Sequence, residues 1–287
     1  MLELKEVLLG ENLFLLVLAL VWIIGAIMQD FKRREVDNLW NFSLIAFAIA
    51  YRAFVSVFSG NYWFFLNGLI GLAIFFGLAN LFYYSRLFAG GDAKLMFALG
   101  AILPLSYNWL INLKIFGIYV LLFFITGSAY ALIYSFFMMI KNWKRFKKEI
   151  KKQWKELRKL FFIVIIFAVG WIIFSLIISE LVLLLIALII MLFPVLFVYA
   201  KAIEEACMIK LVKPEQVTEG DWLYEDVLVG GKKIKSNWEG VSSKELELIK
   251  KKCKKKILVK EGVPFTPSFL FGLIGLFYVI WKYGWLF

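Results

Sequence analysis

Long apolar runs separated by short polar interruptions set the pattern of this chain, and the lengths of the runs decide the elements. Runs at residues 13–28, 40–58, 62–84, 115–140, 160–178, 181–200 and 268–286 approach or exceed the roughly 20 residues a helix needs to cross a bilayer. A shorter run, residues 92–104, is expected as a further span, fourth in order, with its N-terminal end within or at the edge of the membrane. The pattern changes at residues 201–263, where 14 lysines stand against 11 acidic residues. There, residues 226–235 around Gly230-Gly231 predict a β-hairpin, and Ser242-Ser243-Lys244-Glu245 is a capping box opening a helix through about Lys256. Residues 257–260 are expected to return as a strand. The expected fold class is an all-α polytopic membrane protein of about eight transmembrane helices with a small α+β cytoplasmic domain. Its segments are a membrane-embedded core (1–140), a basic loop (141–160), two further spans (161–200), the soluble domain (201–263) and a closing span (264–287).

Composition supports the membrane reading. Of 287 residues, 62% are hydrophobic and 18% aromatic, and mean hydropathy is +0.82, more than a soluble domain can bury. Glu3, Glu6 and Glu11 precede the first run without a basic region or small-residue cleavage pattern, so that span is expected to persist in the mature protein. A net charge of +12 on a soluble protein would point to nucleic acid. Here ten basic and two acidic residues at 141–159 supply +8 of it, the bias of loops kept on the cytoplasmic side, and no nucleic-acid partner is expected. Trp143, Phe146 and Trp154 within that stretch predict an amphipathic helix lying on an anionic inner leaflet, or simply a topology anchor. With the N-terminus outside, the loop at Asp30, the turn at Gly91, the basic loop and the soluble domain all face the cytoplasm. Histidine is absent and there are two cysteines, Cys207 and Cys253. That excludes HExxH metalloproteases, histidine-based triads and zinc ribbons, and neither metal nor cofactor is expected. Cys253, flanked by lysines, is read as a thiol at a solvated helix end.

Two carboxylates carry the candidate chemistry. Asp30 closes the first run, and Asp92 follows Gly90-Gly91 and precedes Lys94 at the start of the fourth. An aspartate at the edge of a hydrocarbon-length segment is a functional-site candidate. The two glycines are expected to permit close backbone approach and dihedrals closed to other residues. Simpler readings exist. Asp30 could be an interfacial residue paired with Lys32 or Arg33, Lys94 could pair with a carboxylate or snorkel, and Asp37 and Asn38 could cap the second span. Arg52, inside the second span, is expected to snorkel to its end. Two carboxylates sharing a proton can hydrolyse a peptide bond, one activating water while the other polarises the scissile carbonyl. Rival readings are a transporter using Asp30, Asp92 and Lys94 as a proton or cation relay, and a non-enzymatic assembly subunit. No internal repeat supports the first.

Asp30, Asn38 eight residues later, and Gly90-Gly91-Asp92-Ala93-Lys94 together resemble the type IV prepilin peptidases, GxGD intramembrane aspartyl proteases whose archaeal branch includes the preflagellin (prearchaellin) peptidases. The likeness covers about residues 13–140. Segments 217–222 and 260–267 resemble the cytoplasmic domain and closing span of archaeal members. The resemblance implies an aspartic endopeptidase that removes basic leader peptides from membrane-inserted pilin-like or archaellin precursors at the cytoplasmic face. Asp30 and Asp92 would be the catalytic pair, with Gly90 and Gly91 shaping the turn and Lys94 and Asn38 supporting. Ala89 stands where the motif has its first glycine. The cysteine-rich module of many bacterial relatives is missing, so no methyltransferase activity is expected.

Overall fold

The structure is a computed structural model and describes residues 10–283. In chain order its helices and strands are α1 (Glu11–Arg33), α2 (Asn38–Ser59), α3 (Trp63–Tyr84), α4 (Gly90–Leu99), α5 (Trp109–Lys141), α6 (Trp143–Ile178), α7 (Leu181–Ile203), β1 (Ile209–Val212), β2 (Trp222–Leu223), β3 (Val227–Val229), β4 (Lys232–Ile234), α8 (Ser243–Lys252), β5 (Ile257–Lys260) and α9 (Pro267–Tyr283). The chain divides into two compact units, Met1–Ile133 with Val263–Phe287, and Tyr134–Gly262.

Six of the described helices are long and apolar enough to cross a membrane: α1, α2, α3, α5, α6 and α7, the last extended by a π-helical turn at Glu204–Met208. This is the composition of a multi-pass membrane protein. Of the eight expected spans, the fourth expected to be short, six helices have the length and apolarity of a full crossing among the described residues. α4 has ten residues and α9 seventeen, and the last expected span runs past the described residues.

In the first unit, Leu15, Ala19, Ile23 and Ala26 recur along one face of α1 and are fully buried, while Val17, Val21 and Ile24 on the other face are exposed. Apolar residues on both faces are what a helix between protein and lipid requires. α1 and α2 are joined by a reciprocal pair. The Trp22 indole donates to the Trp40 carbonyl (3.1 Å) and the Trp40 indole donates to the Trp22 carbonyl (2.9 Å), with the rings stacked. Glycine is required opposite, because a Cβ at Gly25 would lie 2.2 Å from the Trp40 ring.

The ten-residue α4 works because its far end is held. After Leu99 the chain leaves helical geometry, and irregular backbone at membrane depth needs protein partners for its carbonyls. Arg52 supplies them. Its guanidinium donates to the carbonyls of Ala101 (2.8 Å), Ile102 (3.1 Å), Pro104 (2.7 Å) and, on α3, Phe64 (2.8 Å). Arg52 is fully buried and stacks over the Phe64 ring, so the snorkelling expected from its position in the span is wrong. Its partners are neutral carbonyls some fifty residues downstream, which no local pattern displays. Asn12 donates to the Leu105 carbonyl (2.9 Å), and Asn67 and Asn112 to that of Ser106 (3.2 and 2.7 Å). α3 and α4 meet through Gly71 and Gly100, where a Cβ on Gly71 would stand 2.3 Å from the Gly100 carbonyl oxygen.

In the second unit the basic stretch is not a separate loop or helix. It is the first half of α6, continuous with the apolar half over 36 residues, about 54 Å at 1.5 Å per residue. The helical pattern simply persists through the change from basic to apolar. Ser179, in left-handed geometry (φ 60), turns the chain into α7, with the Glu180 amide bonding back to the Ser175 carbonyl at 3.2 Å. Beyond α7 a small domain holds an antiparallel sheet in the order β1-β5-β2 and the hairpin β3-β4, turned at Gly230 and Gly231, both at positive φ. Glu245 closes on the Ser242 amide (3.0 Å) at the start of α8, as a capping box does, but α8 ends at Lys252, short of Lys256. Lys260 on β5 pairs with Glu204, and the Tyr224 hydroxyl donates to Glu205 (2.9 Å), fastening this domain to the end of α7.

Candidate active site

Five helix ends meet at one end of the first unit: the C-termini of α1 and α3 and the N-termini of α2, α4 and α9. α1 stops after Asp30 because Arg34 adopts left-handed geometry (φ 59) and its amide returns to the Asp30 carbonyl at 2.8 Å. This puts Asp30 in the last turn, 8% exposed. Its Oδ2 accepts two hydrogen bonds from one residue, the Thr266 hydroxyl (2.8 Å) and the Thr266 backbone N–H (3.3 Å). Thr266 stands directly before Pro267, the first residue of α9, where a threonine hydroxyl would ordinarily accept from the helix's own first amides. Those amides bond backbone carbonyls instead, Ser268 to Phe265 (3.0 Å) and Phe269 to Thr266 (3.1 Å).

Asp92 is the third residue of α4, half-buried, and its carboxylate faces the Ala89 amide that precedes the helix. A carboxylate reaching back to the amide before its helix satisfies one of the helix's unpaired donors and meets the positive end of its dipole. Asp30 and Asp92 lie within electrostatic reach of each other, like charge against like.

The supporting residues are placed differently from expectation. Gly90 and Gly91 are the first residues of α4 and neither has a positive φ. A Cβ on Gly90 would meet nothing within 4 Å, and one on Gly91 would make ordinary contact, 3.6 Å, with the Val36 amide. Gly91 does bring the α1–α2 connection close, but dihedral freedom is not what these glycines provide. The turn before them is made by Arg86 (φ 63) in a Schellman arrangement, Arg86 to the Tyr83 carbonyl and Leu87 to that of Phe82, both at 2.9 Å. Ala89 is extended (φ −71, ψ 162), a conformation open to any residue, which explains how alanine serves where the motif has glycine. Lys94 does not pair with a carboxylate: its ammonium donates to Asn38 Oδ1, joining α4 to the start of α2. Asp37 occupies the position before α2, yet makes no capping hydrogen bond and pairs with Arg33 at 2.7 Å, while its amide donates to Gln29 Oε1 at 2.9 Å. Lys32 and Arg33 thus leave the Asp30 carboxylate to Thr266. Beneath the pair, buried Phe88 packs on Phe82, Phe123 and Phe269 with ring centroids 5.0, 5.5 and 6.1 Å apart. Among the described residues, no group of three or more His, Cys, Asp or Glu side chains could hold a metal ion. Thr266 was not among the residues singled out from the sequence; the only signal was its place in the 260–267 segment.

Two carboxylates near each other at the meeting of several helix ends have the makings of acid–base chemistry on a bond presented there. Comparison with known proteins narrows this. Residues 16–140 match the model of the type IV leader peptidase family. The chain is 29% identical over 135 residues to a preflagellin peptidase of Methanococcus maripaludis, covering 42% of this chain and 58% of that protein. It is 30% identical over 93 residues to a preflagellin peptidase of Methanocaldococcus jannaschii, covering 30% and 39% respectively. The chain thus spans less than two thirds of the length of either relative. No solved structure matches. The match to the type IV leader peptidase model, over residues 16–140, takes in both Asp30 and Asp92.

Proposed function

We propose that the protein is a membrane aspartic endopeptidase that removes the leader peptide from archaellin or other pilin-like precursors, with Asp30 and Asp92 as its catalytic pair. The observation that carries this reading is the meeting of two aspartates from different helices, one at the end of α1 and one at the start of α4, at one end of the first unit, where Gly91 lies against Val36 and Lys94 against Asn38. One carboxylate takes a proton from water as its oxygen bonds the scissile carbonyl carbon, and the other gives its proton to the carbonyl oxygen. Collapse of the adduct returns a proton to the departing amine nitrogen as the C–N bond breaks. The position of the pair suits the substrate. The basic trio Lys32, Arg33 and Arg34 directly after Asp30 supports a cytoplasmic face for it, where a precursor's basic leader meets its apolar helix. Lys94, bound to Asn38, holds α4 to α2 and so sets the height of Asp92.

The test is cleavage of a precursor carrying a Lys-Gly junction ahead of an apolar helix, by the purified chain in detergent. Wild type is expected to cut it, and Asp30→Asn and Asp92→Asn each to lose on the order of 10⁴-fold in rate. Full activity in either variant would break the paired mechanism. A folded wild type that leaves archaellin and pilin precursors intact would remove the protease reading itself.

A further inference from the structure

Asp30 and Thr266 are 236 residues apart in sequence and meet in the buried interior of the site. Both donors of Thr266, hydroxyl and amide, converge on one oxygen, Oδ2. Among the described residues Oδ1 receives no hydrogen bond. The torsion that sets the plane of an aspartate carboxylate is broad and two-fold, so an unrestrained Asp30 would swing and flip. Two donors fixed to backbone on the same partner remove that freedom. The hydroxyl is also diverted from the capping role its position offers, a local rule broken in favour of a distant contact.

We propose that Thr266 is the positioning residue of Asp30, holding Oδ2 so that Oδ1 is the oxygen presented to the reaction. This rests on the reading of Asp30 as one of the catalytic pair. In this role Thr266 acts through the carboxylate it orients. The last helix then has a task beyond anchoring. Pro267 begins it without an amide of its own and fixes the backbone just after Thr266, so the donor pair is set by the start of α9. A misdirected carboxylate affects the chemical step and leaves substrate binding alone, so the signature is a fall in kcat at constant KM.

The experiment compares Thr266→Val, which keeps shape and removes the hydroxyl, with Thr266→Ser, which restores it, in the full chain in detergent. The probe is a synthetic precursor with a Lys-Gly junction before an apolar helix, and thermal unfolding is recorded in parallel. Thr266→Val is expected to lose about 10- to 100-fold in kcat with KM unchanged. Thr266→Ser is expected to recover most of that loss. Wild-type kcat in Thr266→Val, or equal losses in Val and Ser, would overturn the proposal, as would a change confined to KM. If Thr266→Val does not fold, Thr266→Ala against Thr266→Ser is read by the same criteria. Asp30→Asn is run beside them. An active Asp30→Asn sinks the catalytic-pair reading, whereas an inactive Asp30→Asn with a fully active Thr266→Val sinks only the role of Thr266.

Discussion

The two ends of α4 are built on opposite principles. At its C-terminal end a buried guanidinium meets four carbonyls, and glycines on α3 and α4 let the backbones touch. At its N-terminal end two carboxylates face each other, and the glycines there are under no steric demand. A charge that is fully hydrogen-bonded holds structure. Like charges held near each other repel and hold nothing by themselves. The short helix joins the two, so Asp92 stands on an element whose other end is clamped.

That contrast can be broken from the clamped end. Arg52→Leu strands four buried carbonyls and is expected to lower stability by about 4 kcal/mol or more, read as thermal unfolding in detergent. Arg52→Lys should recover little, because an ammonium cannot present the same planar fork. A stable Arg52→Leu would show that the loop after α4 is satisfied some other way. Next in size, Gly71→Ala places a Cβ 2.3 Å from the Gly100 oxygen and 2.4 Å from Pro104, and is expected to cost about 2 kcal/mol. At the N-terminal end, Gly90→Ala should change stability by no more than about 0.5 kcal/mol, since its φ is ordinary and the added methyl meets nothing. A large loss there would return the turn-shaping role to the glycine itself.

The carboxylates were legible in the sequence because charge next to hydrocarbon is expensive and therefore conspicuous. So were the long helices, the hairpin at Gly230-Gly231 and the cap at Ser242. Arg52 was conspicuous too but misread, for the reason that its partners are backbone carbonyls and carry no residue signature. Thr266 was hidden more deeply. A threonine before a proline at the start of a helix looks like a cap, and only the packing of the last helix against the first reveals its other use. Lys94 and Asn38 were both singled out, yet their contact joins α4 and α2 and leaves no trace in spacing along the chain. The basic run was legible as charge but not as geometry. Nothing in the composition tells whether an amphipathic segment bends into the interface or runs straight on into the span that follows.

The reciprocal tryptophans between α1 and α2 restrict how this end of the protein can move. Each indole donates to the other's backbone carbonyl, and the Trp22 indole also reaches the Ser43 hydroxyl at 3.0 Å. Sliding one helix along the other by a single residue, about 1.5 Å, would pull both indoles off their acceptors at once. The two helices therefore behave as one ratchet tooth seated in its notch, held against axial slip. Asp30 is carried at a fixed height relative to Asn38, and so relative to the lysine that Asn38 holds. Adjustment of the gap between the two aspartates falls to sideways motion, with depth removed as a variable.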